Sequence, residues 1–191
     1  MLRPDITGIL LAGGKSSRMG TEKGLVEFRG KPLIQYGIDL LSHYTDRIMI
    51  SSGNPGYLPF GLELISDEVS GQGPAAGIAA TLKRSTTPWS IVLACDLPFL
   101  EREFIDALFD IPIDYHAIVP IHDGNMEPLA ALYHRNMGTV FEEEVANGNL
   151  ALHKILQACH VNFFEADQLI KKYPNLFVNL NSRDKMNHFV I

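Results

Sequence analysis

The stretch Ile6-Thr7-Gly8-Ile9-Leu10-Leu11-Ala12-Gly13-Gly14-Lys15-Ser16-Ser17-Arg18-Met19-Gly20-Thr21-Glu22-Lys23 decides how this chain reads. Ile6 to Leu11 is a short apolar run, the pattern of a buried strand. Ala12-Gly13-Gly14 ends it in a tight turn. Glycine has no Cβ, so a ligand can approach the backbone closely and turn N–H groups can aim at phosphate oxygens. Arg18 suits bidentate phosphate contacts, and Lys15 and Lys23 supply point charges. Gly14-Lys15-Ser16 imitates the end of a P-loop. That motif needs glycine at position 9, where this chain has Ile9, and Gly8 is one residue too early. The spacing therefore speaks against a P-loop NTPase, while phosphate binding remains the expectation.

Outward from this stretch, strands alternate with helices. The spacing predicts a helix over 32–41, strands over 47–51 and 62–65, and a helix over 74–83 behind a glycine turn. A nearly unbroken apolar strand over 90–94 runs into Cys95-Asp96-Leu97-Pro98. Further on come a helix at 101–109, strands at 115–119 and 129–133, helices at 137–146 and 150–159, and weaker strands at 161–164 and 177–179. Ser182 is placed to cap a last short helix. This alternation predicts an α/β protein with a mostly parallel central sheet and helices on both faces, built as one domain over 1–191. Such sheets bind ligands at the carboxyl ends of their strands. The residues after 6–11, 62–65 and 90–94 are thus the candidates. The polar segment 123–128 reads as a functional insert.

Composition agrees with a soluble globular protein: 46% hydrophobic and 20% charged residues. The net charge of −6 speaks against nucleic-acid and anionic-membrane partners. Residues 15–31 reverse the sign, with five basic side chains (Lys15, Arg18, Lys23, Arg29, Lys31) against Glu22 and Glu27. Such a concentration suits the capture of a small polyanion in one cleft. Cys95 and Cys159 form no metal-type or redox pair and read as reduced thiols. No apolar run has membrane-spanning length, and Met1 to Thr7 lacks a signal-peptide layout, so a cytoplasmic protein is expected. No His motif suggests zinc.

Leu11-Ala12-Gly13-Gly14, Arg18-Met19-Gly20 and Lys23, continued by Gly30-Lys31-Pro32-Leu33, resemble the signature of the molybdenum cofactor guanylyltransferases. These are molybdopterin nucleotidyltransferases with a three-layer Rossmann-like fold. Three later segments extend the resemblance over nearly the whole chain: Asp67 with Gly71-Gln72-Gly73-Pro74-Ala75-Ala76-Gly77, then Cys95-Asp96-Leu97-Pro98, then Phe177-Val178-Asn179-Leu180-Asn181-Ser182. Ala75 and Ser182 depart from the family's usual Leu and Thr.

The resemblance implies these roles. Leu11, Ala12, Gly13, Gly14, Lys23, Ser51, Asp67 and Asp96 bind the nucleotide. Arg18 and Lys23 hold its phosphates. Asp96 binds Mg²⁺, which takes few protein carboxylates and fills its remaining sites with phosphate oxygens and water. Asn179 and Asn181, alternating on a strand, belong to the metal or acceptor side. The family's nucleotide-contacting Asn falls on Ser51 by count, or on Asn54 with a loop shift. Pro128 to Tyr133 closes the acceptor side. His122, Asp123 and Glu127 lie just before it, in a loop whose polarity alone carries no role, and His122 reads as a surface histidine rather than a site residue.

The implied reaction transfers GMP from GTP to the terminal phosphate of molybdopterin or molybdenum-molybdopterin. Pyrophosphate leaves, and no protein nucleophile is required. Gly13-Gly14 resembles the guanylyl rather than the cytidylyl branch. Cytidylyl transfer, another small-molecule nucleotidyl transfer and a non-catalytic nucleotide-binding partner in cofactor assembly are the alternatives. Transient contact with cofactor-insertion proteins or acceptor enzymes is implied, and contact with nucleic acid or membrane is not.

Overall fold

The computed structural model describes residues 2–13, 22–66 and 72–189. In chain order the strands are β1 (Ile6–Leu11), β2 (Glu27–Phe28), β3 (Lys31–Pro32), β4 (Ile48–Ser51), β5 (Glu63–Ile65), β6 (Trp89–Ala94), β7 (Ala117–His122), β8 (Asn125–Met126), β9 (Ala130–His134) and β10 (Val161–Glu165). The α-helices are α1 (Leu33–Leu41), α2 (Gly73–Arg84), α3 (Arg102–Phe109), α4 (Met137–Ala146), α5 (Leu152–Gln157), α6 (Asp167–Lys172) and α7 (Arg183–His188). Among the described residues no helix is long and apolar enough to cross a membrane.

The main sheet has the order β10-β7-β9-β6-β1-β4-β5, with β8 added on β7. β1 pairs in parallel with both β4 and β6, and β4 in parallel with β5. β9 runs antiparallel to β6 and β7, so β7 points the same way as β6. The α/β class and the mostly parallel sheet expected from the alternation are both present.

Side chains alternate across the strands because successive Cβ atoms point to opposite faces. Ile6, Leu10, Ile91, Leu93 and Ile118 join one buried cluster with α1 and α3. Ile9, Leu11, Val92, Ala117 and Val119 join a second with α2, α4 and α5. The result is three layers. β1 and β6 are buried at every position, which explains why, apart from Thr7 and Ser90, they read as apolar runs rather than alternating ones.

Three features differ from expectation. The segment 177–179 is a turn followed by irregular chain, not a strand. Its Phe177 and Leu180 pack inward individually, giving apolar content without a ladder. The segment 123–128 is mainly a hairpin end. Asp123 (φ 47°) and Gly124 (φ 74°) form the two-residue turn between β7 and β8, with His122 opposite Asn125. Asp-Gly is a strong hairpin signal, because both central residues of such a turn need positive φ. Helix α6 follows β10 without a strong sequence cue.

At the edge of the sheet remote from the candidate loops, Thr7, Ser85, Thr87 and Ser90 are buried and bond to one another. Thr7 and Thr87 hydroxyls are 2.7 Å apart, and the Ser85 hydroxyl donates to Thr7 Oγ1 at 3.0 Å. Thr7→Val should cost about 1–3 kcal/mol, since it leaves buried hydroxyls without their partner. Thermal denaturation should show the loss, with GTP affinity by calorimetry unchanged.

Candidate active site

The parallel register brings the candidate loops together. Leu11 lies opposite Ser51 on one side and Ala94 on the other. The chain beyond each strand is then tied across. Ala12 N–H donates to the Ser51 carbonyl at 3.1 Å, and Cys95 N–H donates to the Leu11 carbonyl at 3.1 Å. Gly13, Ser52 and Asp96 therefore emerge at one sheet edge. Leu11, Gly13, Lys23, Ser51, Gly73, Pro74, Gly77, Cys95 and Asp96 are among the residues lining a cleft of about 200 Å³ there.

Lys23 and Asp96, far apart in sequence, meet in this cleft with Nζ and Oδ2 3.2 Å apart. Asp96 is buried and Lys23 about a third exposed (side chains 9% and 37%). A buried carboxylate is costly without a partner, so the ammonium offsets part of that cost. The first turn of α2, Gly73-Pro74, borders the same cleft. The positive end of the helix dipole there favours an anion.

Gly13 is informative because the fold does not require it. Its φ is not among the positive values. Among the described residues, an added Cβ would meet only the Ser51 carbonyl oxygen, at 3.5 Å, an ordinary contact. The missing side chain leaves room on the cleft side.

Of the other expected residues, Leu11, Ala12 and Ser51 lie at or beside the cleft, and Ser51 is buried. Ser51 lines the cleft, and Asn54 is not among its lining residues. The Asn54 side chain accepts from Gly56 N–H at 2.8 Å and caps the short helix Pro55–Phe60. Asn179 and Asn181 are half-buried and flank Leu180, whose N–H donates to the Asp96 carbonyl at 2.9 Å. They lie on an irregular segment tied to the Asp96 backbone through Leu180, not on the expected strand. Gly14, Arg18 and Asp67 lie outside the described residues.

The positive charge expected of residues 15–31 is only partly in the cleft. Arg29 donates to the Phe189 carbonyl at 2.7 Å, and Lys31 bonds to Asp39. Both serve packing around the β2–β3 hairpin. Cys95, next to Asp96, is buried and pushed up to about 12, first by burial and then by the neighbouring carboxylate. It is a neutral thiol, not a nucleophile.

His122 and Glu127 were the residues least specified by sequence. His122 is held, with Nε2 2.9 Å from Glu127 Oε1 and its ring stacked on Phe177. A histidine five residues before a glutamate carries no signal by itself. The Asp-Gly turn between them does, because it pairs the two strands side by side as antiparallel neighbours.

Among the described residues no cluster of three or more His, Cys, Asp or Glu could hold a metal. Asp96 offers one buried carboxylate in a cleft of about 200 Å³. That donor set fits a hard cation completed by phosphate oxygens and water, and does not fit zinc.

Comparison with known proteins agrees with this geometry. Residues 8–162 match the family model described as the MobA-like NTP transferase domain. The molybdenum cofactor guanylyltransferase of Aliivibrio salmonicida is 32% identical over 99% of this chain and 98% of its own. That of Vibrio parahaemolyticus is 32% identical over 99% and 97%. The crystal structure of molybdopterin-guanine dinucleotide biosynthesis protein A from Archaeoglobus fulgidus superposes with a TM-score of 0.81 at 26% identity, covering 95% of each chain. Transferases of this kind work with a divalent metal. The chain is a nucleotidyltransferase and belongs to the MobA-like NTP transferases, among the molybdenum cofactor guanylyltransferases.

Proposed function

We propose that this enzyme transfers GMP from GTP to the terminal phosphate of molybdopterin, with Mg²⁺, as a single domain in the cytoplasm. The observation that carries the reading is the Lys23–Asp96 pair at the mouth of a glycine-lined cleft. Cys95 is a free thiol, in keeping with a reducing compartment.

An oxygen of the acceptor phosphate attacks the α-phosphorus of GTP. The new P–O bond forms as the bond to the β-phosphate oxygen breaks, and that electron pair leaves with pyrophosphate. The acceptor phosphate is itself the nucleophile, so the protein's work is positioning and charge neutralisation. Asp96 would hold Mg²⁺. When bound, the cation neutralises charge on the triphosphate. Lys23, released from Asp96, turns to the phosphates with Arg18. The backbone at Leu11 to Gly14, with Ser51 and Asp67, receives the nucleoside. Asn179 and Asn181 complete the metal or acceptor side.

With GTP, molybdopterin and Mg²⁺, the enzyme should release pyrophosphate. Asp96→Asn should lower the rate about a hundredfold or more, as should Lys23→Ala. Full turnover of Asp96→Asn would refute the metal role, and turnover with CTP but not GTP would refute the guanylyl assignment. Gly13→Ala should leave the melting temperature within about 2 °C of wild type, because the added Cβ meets no described atom closer than 3.5 Å, yet weaken GTP binding measured by calorimetry. At pH 8, below the raised value of about 12, Cys95 stays protonated. Mass spectrometry should find it unmodified by maleimide in the folded protein, and modified after unfolding.

A further inference from the structure

His122 sits at the carboxyl end of β7, on the same edge of the sheet as Asp96, because β7 and β6 point the same way. Its imidazole is fixed twice. Nε2 is 2.9 Å from Glu127 Oε1, a partner on the return strand side of the Asp123-Gly124 turn. The ring lies flat on Phe177, with centroids 5.2 Å apart and planes at 12°. Phe177 is buried and also meets Phe104 of α3 edge-on, at 5.2 Å and 89°. Three residues later, Leu180 is fully buried and its N–H donates to the Asp96 carbonyl at 2.9 Å.

The segment 177–181 therefore has no strand ladder to hold it. One end is clamped between the His122 and Phe104 rings. The other is anchored to the backbone of Asp96. Asn179 and Asn181 lie on either side of that anchor. An irregular segment keeps a fixed position only where side chains and caps replace the missing ladder.

We propose that His122 is a positioning residue, whose ring, oriented by Glu127, clamps Phe177 and so holds Asn179 and Asn181 against Asp96 for the transfer step. Glu127 sets the ring plane, and the ring supplies the contact. His122 acts through the segment and touches no reacting atom. The inference rests on the proposed function for its kinetic consequence, but the clamp itself is a property of the folded chain.

The test therefore has two readouts. In the protein alone, His122→Ala should speed amide hydrogen exchange of residues 176–181 about tenfold or more while leaving β6 protected. His122→Phe, which keeps the stacked ring and loses the tether, should exchange at an intermediate rate. In the assay with GTP, Mg²⁺ and molybdopterin, His122→Ala should lower kcat about tenfold or more with GTP affinity retained. Combined with Asn181→Ala, it should cost little beyond Asn181→Ala alone, since both act through one segment. Unchanged exchange of 176–181 in His122→Ala overturns the clamp, whatever reaction the enzyme performs. Faster exchange with normal kcat, or costs that add in full, overturns its role in transfer. Absence of turnover in the wild type would count against the proposed function alone, since the exchange readout still decides the clamp.

Discussion

Leu11 stands opposite Ser51 of one neighbouring strand and Ala94 of the other, and its carbonyl accepts from Cys95 N–H. This register fixes where each parallel strand ends. A slip of one residue would turn every side chain of β1 to the wrong face, exchanging the contents of the two apolar clusters. Because both faces of β1 are buried, such a slip is strongly disfavoured. The same constraint delivers Gly13, Ser51 and Asp96 to a single edge. The site is thus a consequence of how the core packs.

On that edge the electrostatics are economical. One buried carboxylate is matched by one partly exposed ammonium, and the first turn of a helix borders the gap between them. Such a pair is poised rather than sealed. Lys23 keeps about a third of its side chain exposed, whereas Asp96 is buried at the end of β6 and its carbonyl is held by Leu180 N–H. Cys95, although adjacent, is neutralised chemically by the same burial that fixes Asp96.

The elements were legible in the chain to the extent that burial imprinted a period on them. β1 and β6 are apolar except for Thr7 and Ser90, and α1 shows helical spacing, so their positions follow from sequence. Ser182 caps α7, its side chain accepting from Lys185 N–H, as its place before the last helix suggested. Phe177 to Asn179 misled because large apolar residues in a row imitate a strand when each is buried by a different neighbour. The Asp123-Gly124 hairpin was written in the sequence, but its polar character suggested an insert. Arg29 and Lys31 looked like parts of a phosphate site because charge density along a chain says nothing of direction. Each turns out to be occupied, by the Phe189 carbonyl and by Asp39.

By itself the sequence determined the layer pattern, the strand that opens on the glycine turn, and the residues chemically able to meet a nucleotide. Those properties are local, set by the period of apolar residues and by what each side chain can donate or accept. Only the tertiary structure decided that Lys23 reaches Asp96, that Ser51 rather than Asn54 faces the cleft, and that His122 meets Phe177 from across the fold. Such contacts depend on strand order and register over separations of tens of residues. They are fixed by the collective packing of two apolar faces, and no single segment encodes that.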